Sequence, residues 1–389
     1  MNSLPLILVL LQGIVSINGQ DEVKCPDGNT YSMDPPWLTL TRPVPPPNCV
    51  ENVDYLLYTK SNPSIPFNCS TQNHSLDGSH YDGEKPTVMF FHGWMSSANA
   101  ELMRPLGPAY LSRVDANVIF VDYSNVSSDI MYPQAVSDIR VVATLVARFV
   151  NYLIENRGTS ISKFHLVGMS LGAHLAAYVA KLCPGVSRLT GLDPAGPLFE
   201  ENSCEVGICK GDAKYVELIH TNGNPIWGLG IRKENGDINF RANGGYDQPG
   251  CGSVIDNQTL ARLKSGNFNI IRDAPVPALC SHSRALHYYK EALRNKNCTF
   301  WAVKAKPLTT AASRLSGGYA TWYLINPISC TVRTCVPMGI ETINHRATGT
   351  YLVATNDKEQ YCVSMPFTSA AIQAKNYVCN IIKTVLGWK

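Results

Sequence analysis

The stretch of this chain best suited to chemistry is Gly168-Met169-Ser170-Leu171-Gly172. A serine spaced this way between glycines fits a sharp turn from strand to helix, which exposes its hydroxyl, while a side chain at either glycine would strike the neighbouring elements. A hydroxyl attacks a carbonyl carbon only if a base takes its proton, and the base in turn needs a carboxylate to orient it. With a serine on such a turn the expected chain order is serine, acid, histidine. Asp193, in Gly191-Leu192-Asp193-Pro194-Ala195-Gly196-Pro197, stands at the end of the next strand-like run, where its side chain would face a crevice. Taken alone, it also reads as a turn residue before proline.

Nine histidines compete for the role of base. His92 and His174 lie beside structural motifs and read as hydrogen-bonded scaffold groups, and His220 ends a strand and is a weaker rival. His282, in Cys280-Ser281-His282-Ser283-Arg284, is placed on a loop before a helical stretch from Arg284 to Leu293, where Cys280 could staple that loop. An oxyanion formed during attack needs amide donors. The N–H of Leu171 at a helix N-terminus supplies one, and His92-Gly93-Trp94, after an earlier strand, is placed to supply the N–H of Trp94.

The elements that must hold these groups are visible as runs and periods. Thr87 to Phe91, Asn117 to Val121, Phe164 to Val167, Arg188 to Leu192 and Lys214 to Ile219 are short apolar runs that suit buried parallel strands. Between Gln134 and Asn156, Ile139, Val142, Val146, Phe149, Val150 and Leu153 recur at three- and four-residue steps, the mark of an amphipathic helix. A second, Ala-rich helix is expected from Leu171 to Leu182. Alternating strands and helices predict an α/β fold with a mostly parallel central sheet flanked by helices. No repeat or linker divides it.

At 389 residues, with 45% hydrophobic and 16% charged residues, the chain can bury a large core. Its 33 Lys and Arg against 30 Asp and Glu form no basic block, which argues against a nucleic-acid partner. The run Leu4 to Val15, before Gly19, has the shape of a secretory signal and is too short for a membrane span. Thirteen cysteines fit an oxidising compartment, and their odd number leaves one thiol free or paired between chains. Asn68, Asn73, Asn125, Asn257 and Asn297 head glycosylation sequons; because Asn68 and Asn297 directly precede cysteines, Asn73, Asn125 and Asn257 are the better candidates. Neither His-x-x-x-His nor paired Cys-x-x-Cys spacing is present, so neither a metal nor a cofactor is expected.

Several further motifs follow in one order: Ile219-His220-Thr221, Asn243-Gly244-Gly245 and Gln248-Pro249-Gly250-Cys251. Together with Phe91-His92-Gly93-Trp94, the serine pentad extended to His174, the Asp193 segment and Cys280-Ser281-His282, they make the chain resemble the pancreatic lipase family. Within that family it is most similar to the single-domain secreted phospholipases A1 of arthropods. The resemblance covers roughly Thr87 to Cys362. It implies an α/β-hydrolase fold with a lid loop, a triad of Ser170, Asp193 and His282, and disulfides Cys204 to Cys209, Cys251 to Cys280 and Cys330 to Cys335, the middle one closing the base of the lid. Two departures stand out: Met169 replaces the usual histidine, and Trp94 stands where mammalian members typically have Phe.

The family's C-terminal β-sandwich is expected to be absent, because little more than the ~100 residues that such a sandwich takes remain after His282. No colipase-like partner is therefore expected. The resulting partition is a signal at 1–19, a Pro- and Asn-rich segment at 20–85 packed on the catalytic domain, that domain at 86–365 and a tail at 366–389. The resemblance implies a secreted hydrolase of lipid esters at a membrane or droplet surface. A short Gly223 to Asn235 loop points to phospholipids, whereas the longer lid interval Gly252 to Leu279 points to triacylglycerol. A lipase-like binding or yolk-storage protein without chemistry is the reading from another class, and the intact serine, acid and histidine set argues against it.

Overall fold

The computed structural model describes residues 22–69, 76–225, 227–252, 276–305 and 335–363. The apolar leader, Asn73, most of the expected lid interval including Asn257, Cys330, and the tail with Cys379 lie outside the described residues.

The strands are β1 (Glu22–Lys24), β2 (Thr30–Ser32), β3 (Asp54–Tyr58), β4 (Phe67–Cys69), β5 (Thr87–Phe91), β6 (Asn117–Asp122) and β7 (Phe164–Met169), followed by β8 (Arg188–Leu192), β9 (Val216–His220), β10 (Ile238–Ala242), β11 (Trp301–Lys304), β12 (Cys335–Pro337) and β13 (Gly349–Val353). All but β1 and β2 join one 11-stranded sheet, ordered β12-β11-β13-β10-β9-β8-β7-β5-β6-β3-β4. Its middle, from β13 to β6, is parallel throughout. Antiparallel pairs form both edges. This is the α/β architecture that the sequence predicts.

The α-helices are α1 (Leu106–Leu111), α2 (Ser124–Ser127), α3 (Tyr132–Asn156), α4 (Leu171–Leu182) and α5 (Val276–Arg294), and short 3-10 turns lie at Ile161–Lys163, Asn243–Gly245 and Ile340–Asn344. Side chains alternate across the sheet, so one strand feeds two cores. Met89 and Phe91 of β5, with Ile119 and Val121 of β6, pack under α3 and α4. Val88, Phe90, Val118 and Phe120 pack on the opposite face with Leu106 of α1 and Ala285, Leu286, Tyr288 and Tyr289 of α5. Such strands are buried on both faces, which is why they read as unbroken apolar runs.

Helix α5 corrects the sequence reading: His282 sits within it, not on a preceding loop. Pro277 is compatible with a first helical turn, and the buried stripe runs through Ala278, Ser281, His282, Ala285, Leu286 and Tyr289. Two polar residues in that stripe hide its period from a reading based on hydrophobicity. Among the described residues no helix is long and apolar enough to cross a membrane.

Disulfides Cys204–Cys209 and Cys251–Cys280 are present as the resemblance implies. Two more, Cys25–Cys49 and Cys298–Cys362, join positions that the sequence left unassigned. Cys335 is disulfide-bonded, while its expected partner Cys330 lies outside the described residues. The odd cysteine count leaves one thiol free or paired between chains; among the described residues two, Cys69 and Cys183, are free and buried.

Candidate active site

Ser170 is set by its backbone. It links β7 to α4 at φ 55°, ψ −121°, a strained conformation for a residue with a side chain. What holds it there is close packing. A Cβ on Gly168 would lie 2.2 Å from the Gly172 carbonyl oxygen, and one on Gly172 would lie 2.2 Å from that of His92. The Ser170 N–H donates to the Leu192 carbonyl at 3.0 Å, which ties the turn to β8. Gly93 is less tightly confined, but a Cβ there would still meet Ser170 Cβ at 3.2 Å.

Asp193 follows β8 directly and is fully buried at 0% exposure. One carboxylate oxygen, Oδ1, accepts the N–H groups of Thr221 at 2.7 Å and Asn222 at 3.0 Å, just past the end of β9. The other, Oδ2, lies 2.6 Å from Nδ1 of His282. Thr221 also reaches the histidine, donating from Oγ1 to the His282 carbonyl at 3.3 Å. Three consecutive segments of the parallel sheet thus present serine, acid and acid-holding amides side by side, and α5 lays the imidazole against them. The Ser170 hydroxyl makes no hydrogen bond among the described residues.

The loop over the serine is fixed from its far side. Trp94 Nε1 donates to the Asp129 carbonyl at 2.6 Å, and its ring meets Tyr132 edge-on at 5.1 Å. The N–H of Met95 donates to the Ser127 carbonyl at 2.8 Å. Among the described residues the N–H groups of Trp94 and Leu171 have no acceptor, and both belong to the segments that approach Ser170.

The other histidines form scaffold contacts. His174 donates from Nε2 to the Ala195 carbonyl at 2.8 Å, accepts the Ile208 N–H on Nδ1 at 3.2 Å and stacks on Phe199. Burial lowers its pKa to about 3, so it stays neutral. His220 bonds the Ile231 carbonyl and Asn239, and burial lowers it to about 4. His92 sits on Tyr123, whose amide donates to Nε2 at 3.2 Å. The described sequon residues Asn68, Asn125 and Asn297 are all exposed, Asn125 at the start of α2.

The sequence reading missed the groups that hold the acid. Thr221 belongs to a sequence motif that does not disclose this role, and Asn222 acts through its main chain, which carries no sequence signal. Gly230 also went unread. A Cβ there would lie 2.5 Å from Asp193 Oδ2, so only a residue without a side chain can close the Gly223 to Asn235 loop over the carboxylate.

Comparison with known proteins places the chain among relatives. The family model described as Lipase matches residues 31–361. The chain is 30% identical to the phospholipase A1 of Vespa crabro over 72% of this chain and 83% of that protein. It is 34% identical to pancreatic lipase-related protein 3 of Homo sapiens over 74% of this chain and 58% of the relative. For human pancreatic triacylglycerol lipase the identity is 32%, over 75% of this chain and 66% of that one. With a strained serine between β7 and α4, a carboxylate after β8 and an imidazole bonded to it, the chain belongs to the lipase family.

Proposed function

We propose that the protein is a secreted hydrolase of lipid carboxylic esters acting through Ser170, His282 and Asp193. His282 takes the Ser170 proton, Ser170 attacks the ester carbonyl, and the N–H groups of Trp94 and Leu171 hold the oxyanion. The alcohol leaves with the proton carried by His282, and water then frees the fatty acid from the acyl-enzyme. The observation that carries the reading is the 2.6 Å contact between the buried Asp193 carboxylate and His282, beside a serine held in a strained turn. Secretion is supported by four disulfides among the described residues.

Phospholipid cleavage at the sn-1 ester is the favoured reaction. Its support is the similarity to the wasp phospholipase A1, of which the chain covers 83%, together with the short loop after Thr221. Hydrolysis of triacylglycerol is the second reading, and the similarity to human pancreatic triacylglycerol lipase favours it. A serine-directed organophosphate, with the adduct mapped by mass spectrometry, tests the mechanism. Labelling is expected at Ser170, and an active preparation without it would sink the proposal. Fatty-acid release from phosphatidylcholine and triolein, compared side by side, tests the substrate; faster release from triolein would reverse the preference.

A further inference from the structure

Gln248 lies in the Gln-Pro-Gly-Cys motif, to which no task is yet attached. It is buried at 3% exposure and satisfies its whole hydrogen-bonding capacity within the protein. Nε2 donates to the carbonyls of Thr221 and Ala242, each at 2.8 Å. Oε1 accepts from Asn243 Nδ2 at 2.9 Å and from the Tyr288 hydroxyl at 3.0 Å. Its backbone N–H donates to Ser281 Oγ at 3.0 Å. The amide orientation is fixed by these partners, because the two carbonyls can only accept and the Asn243 amide can only donate.

Two of those partners stand one step from the acid and the base. Thr221, gripped through its carbonyl, gives its N–H to Asp193 and its hydroxyl to the His282 backbone. Ser281 directly precedes His282, and Tyr288 lies further along the same helix. We infer that Gln248 is a positioning residue for the acid–base pair, setting the separation and tilt of His282 against Asp193 through Thr221 and α5. It touches neither substrate nor the reacting atoms. Positional errors near an ångström can cost on the order of a hundredfold in rate, so a hub that joins both partners has catalytic consequence.

This inference rests on the serine-hydrolase reading. The test uses the full-length protein, a soluble p-nitrophenyl ester, and active-site titration with the organophosphate. Gln248→Glu keeps the volume but faces two carbonyls with at most one hydrogen, and Tyr288→Phe removes one O–H from the same hub. Gln248→Glu is expected to lower kcat per titrated site on the order of tenfold or more, with KM little changed, and Tyr288→Phe to lower it about threefold. A purely structural role would reduce the titratable fraction and leave turnover per titrated site intact. That result in both variants would overturn the inference. If Gln248→Glu is not recovered folded, Tyr288→Phe decides alone. Failure of the wild type to titrate would instead defeat the underlying hydrolase reading.

Discussion

At the scale of single residues, the site depends on side chains held in place by their hydrogen-bond partners. Asp193 has no solvent contact, accepts two amides on one oxygen and gives the other to His282. Asp193→Asn keeps the shape but removes the charge and favours the wrong imidazole tautomer. Its kcat is expected to fall on the order of 10⁴-fold, with near-normal thermal stability, as steady-state kinetics and a melting curve would show. The buried histidines bear on stability instead. In the unfolded chain His174 gains a proton below its ordinary value of about 6.5, whereas the folded protein resists until about 3. Stability from this residue is therefore complete above about pH 6.5 and declines as the pH falls toward 3, by up to ~1.4 kcal/mol per pH unit. Urea unfolding at pH 7, 6 and 5 should show that decline, with a shallower slope in His174→Gln.

At the scale of elements, sequence and structure agree where a pattern is carried by apolar side chains. Thr87–Phe91, Arg188–Leu192 and Leu171–Leu182 fall where the runs and periods place them. The outer strands are harder to read. β10 is buried throughout yet carries Asn239 and Arg241, whose side chains bond within the protein, β11 and β13 lie toward the antiparallel edge, and α5 conceals its buried face behind Ser281 and His282. The strand-to-helix turn was legible because its requirements are steric. Gly172→Ala brings a methyl to 2.2 Å from the His92 carbonyl oxygen, and backbone there cannot yield cheaply. The variant is expected to lose about 3 kcal/mol or more, visible as a lower denaturant midpoint or as failure to accumulate.

At the scale of the whole molecule, distant segments converge on the catalytic half. Arg42, 1% exposed, donates to the Leu198 carbonyl at 2.7 Å and lies over Phe199, the ring stacked on His174. Asn48 bonds the Asp138 carboxylate on α3. These long-range ties escaped the sequence reading, because a lone Arg or Asn among prolines carries no period. The Cys298–Cys362 bridge, spanning 64 positions, closes the far end of the sheet. Replacing both cysteines by alanine should cost about 4 kcal/mol, chiefly by freeing the unfolded chain, while activity at low temperature persists; calorimetry alongside an ester assay checks both parts.

Cys69 and Cys183 are sealed inside, and burial pushes their pKa values up to about 12 and about 11. Since alkylating reagents attack the thiolate, these two thiols should ignore a maleimide in the native state and consume it at once in the unfolded chain. Evolution has in effect left two silent chemical clocks in the interior. The pace at which a dye marks each would time how often that part of the protein breathes open, without any engineered probe.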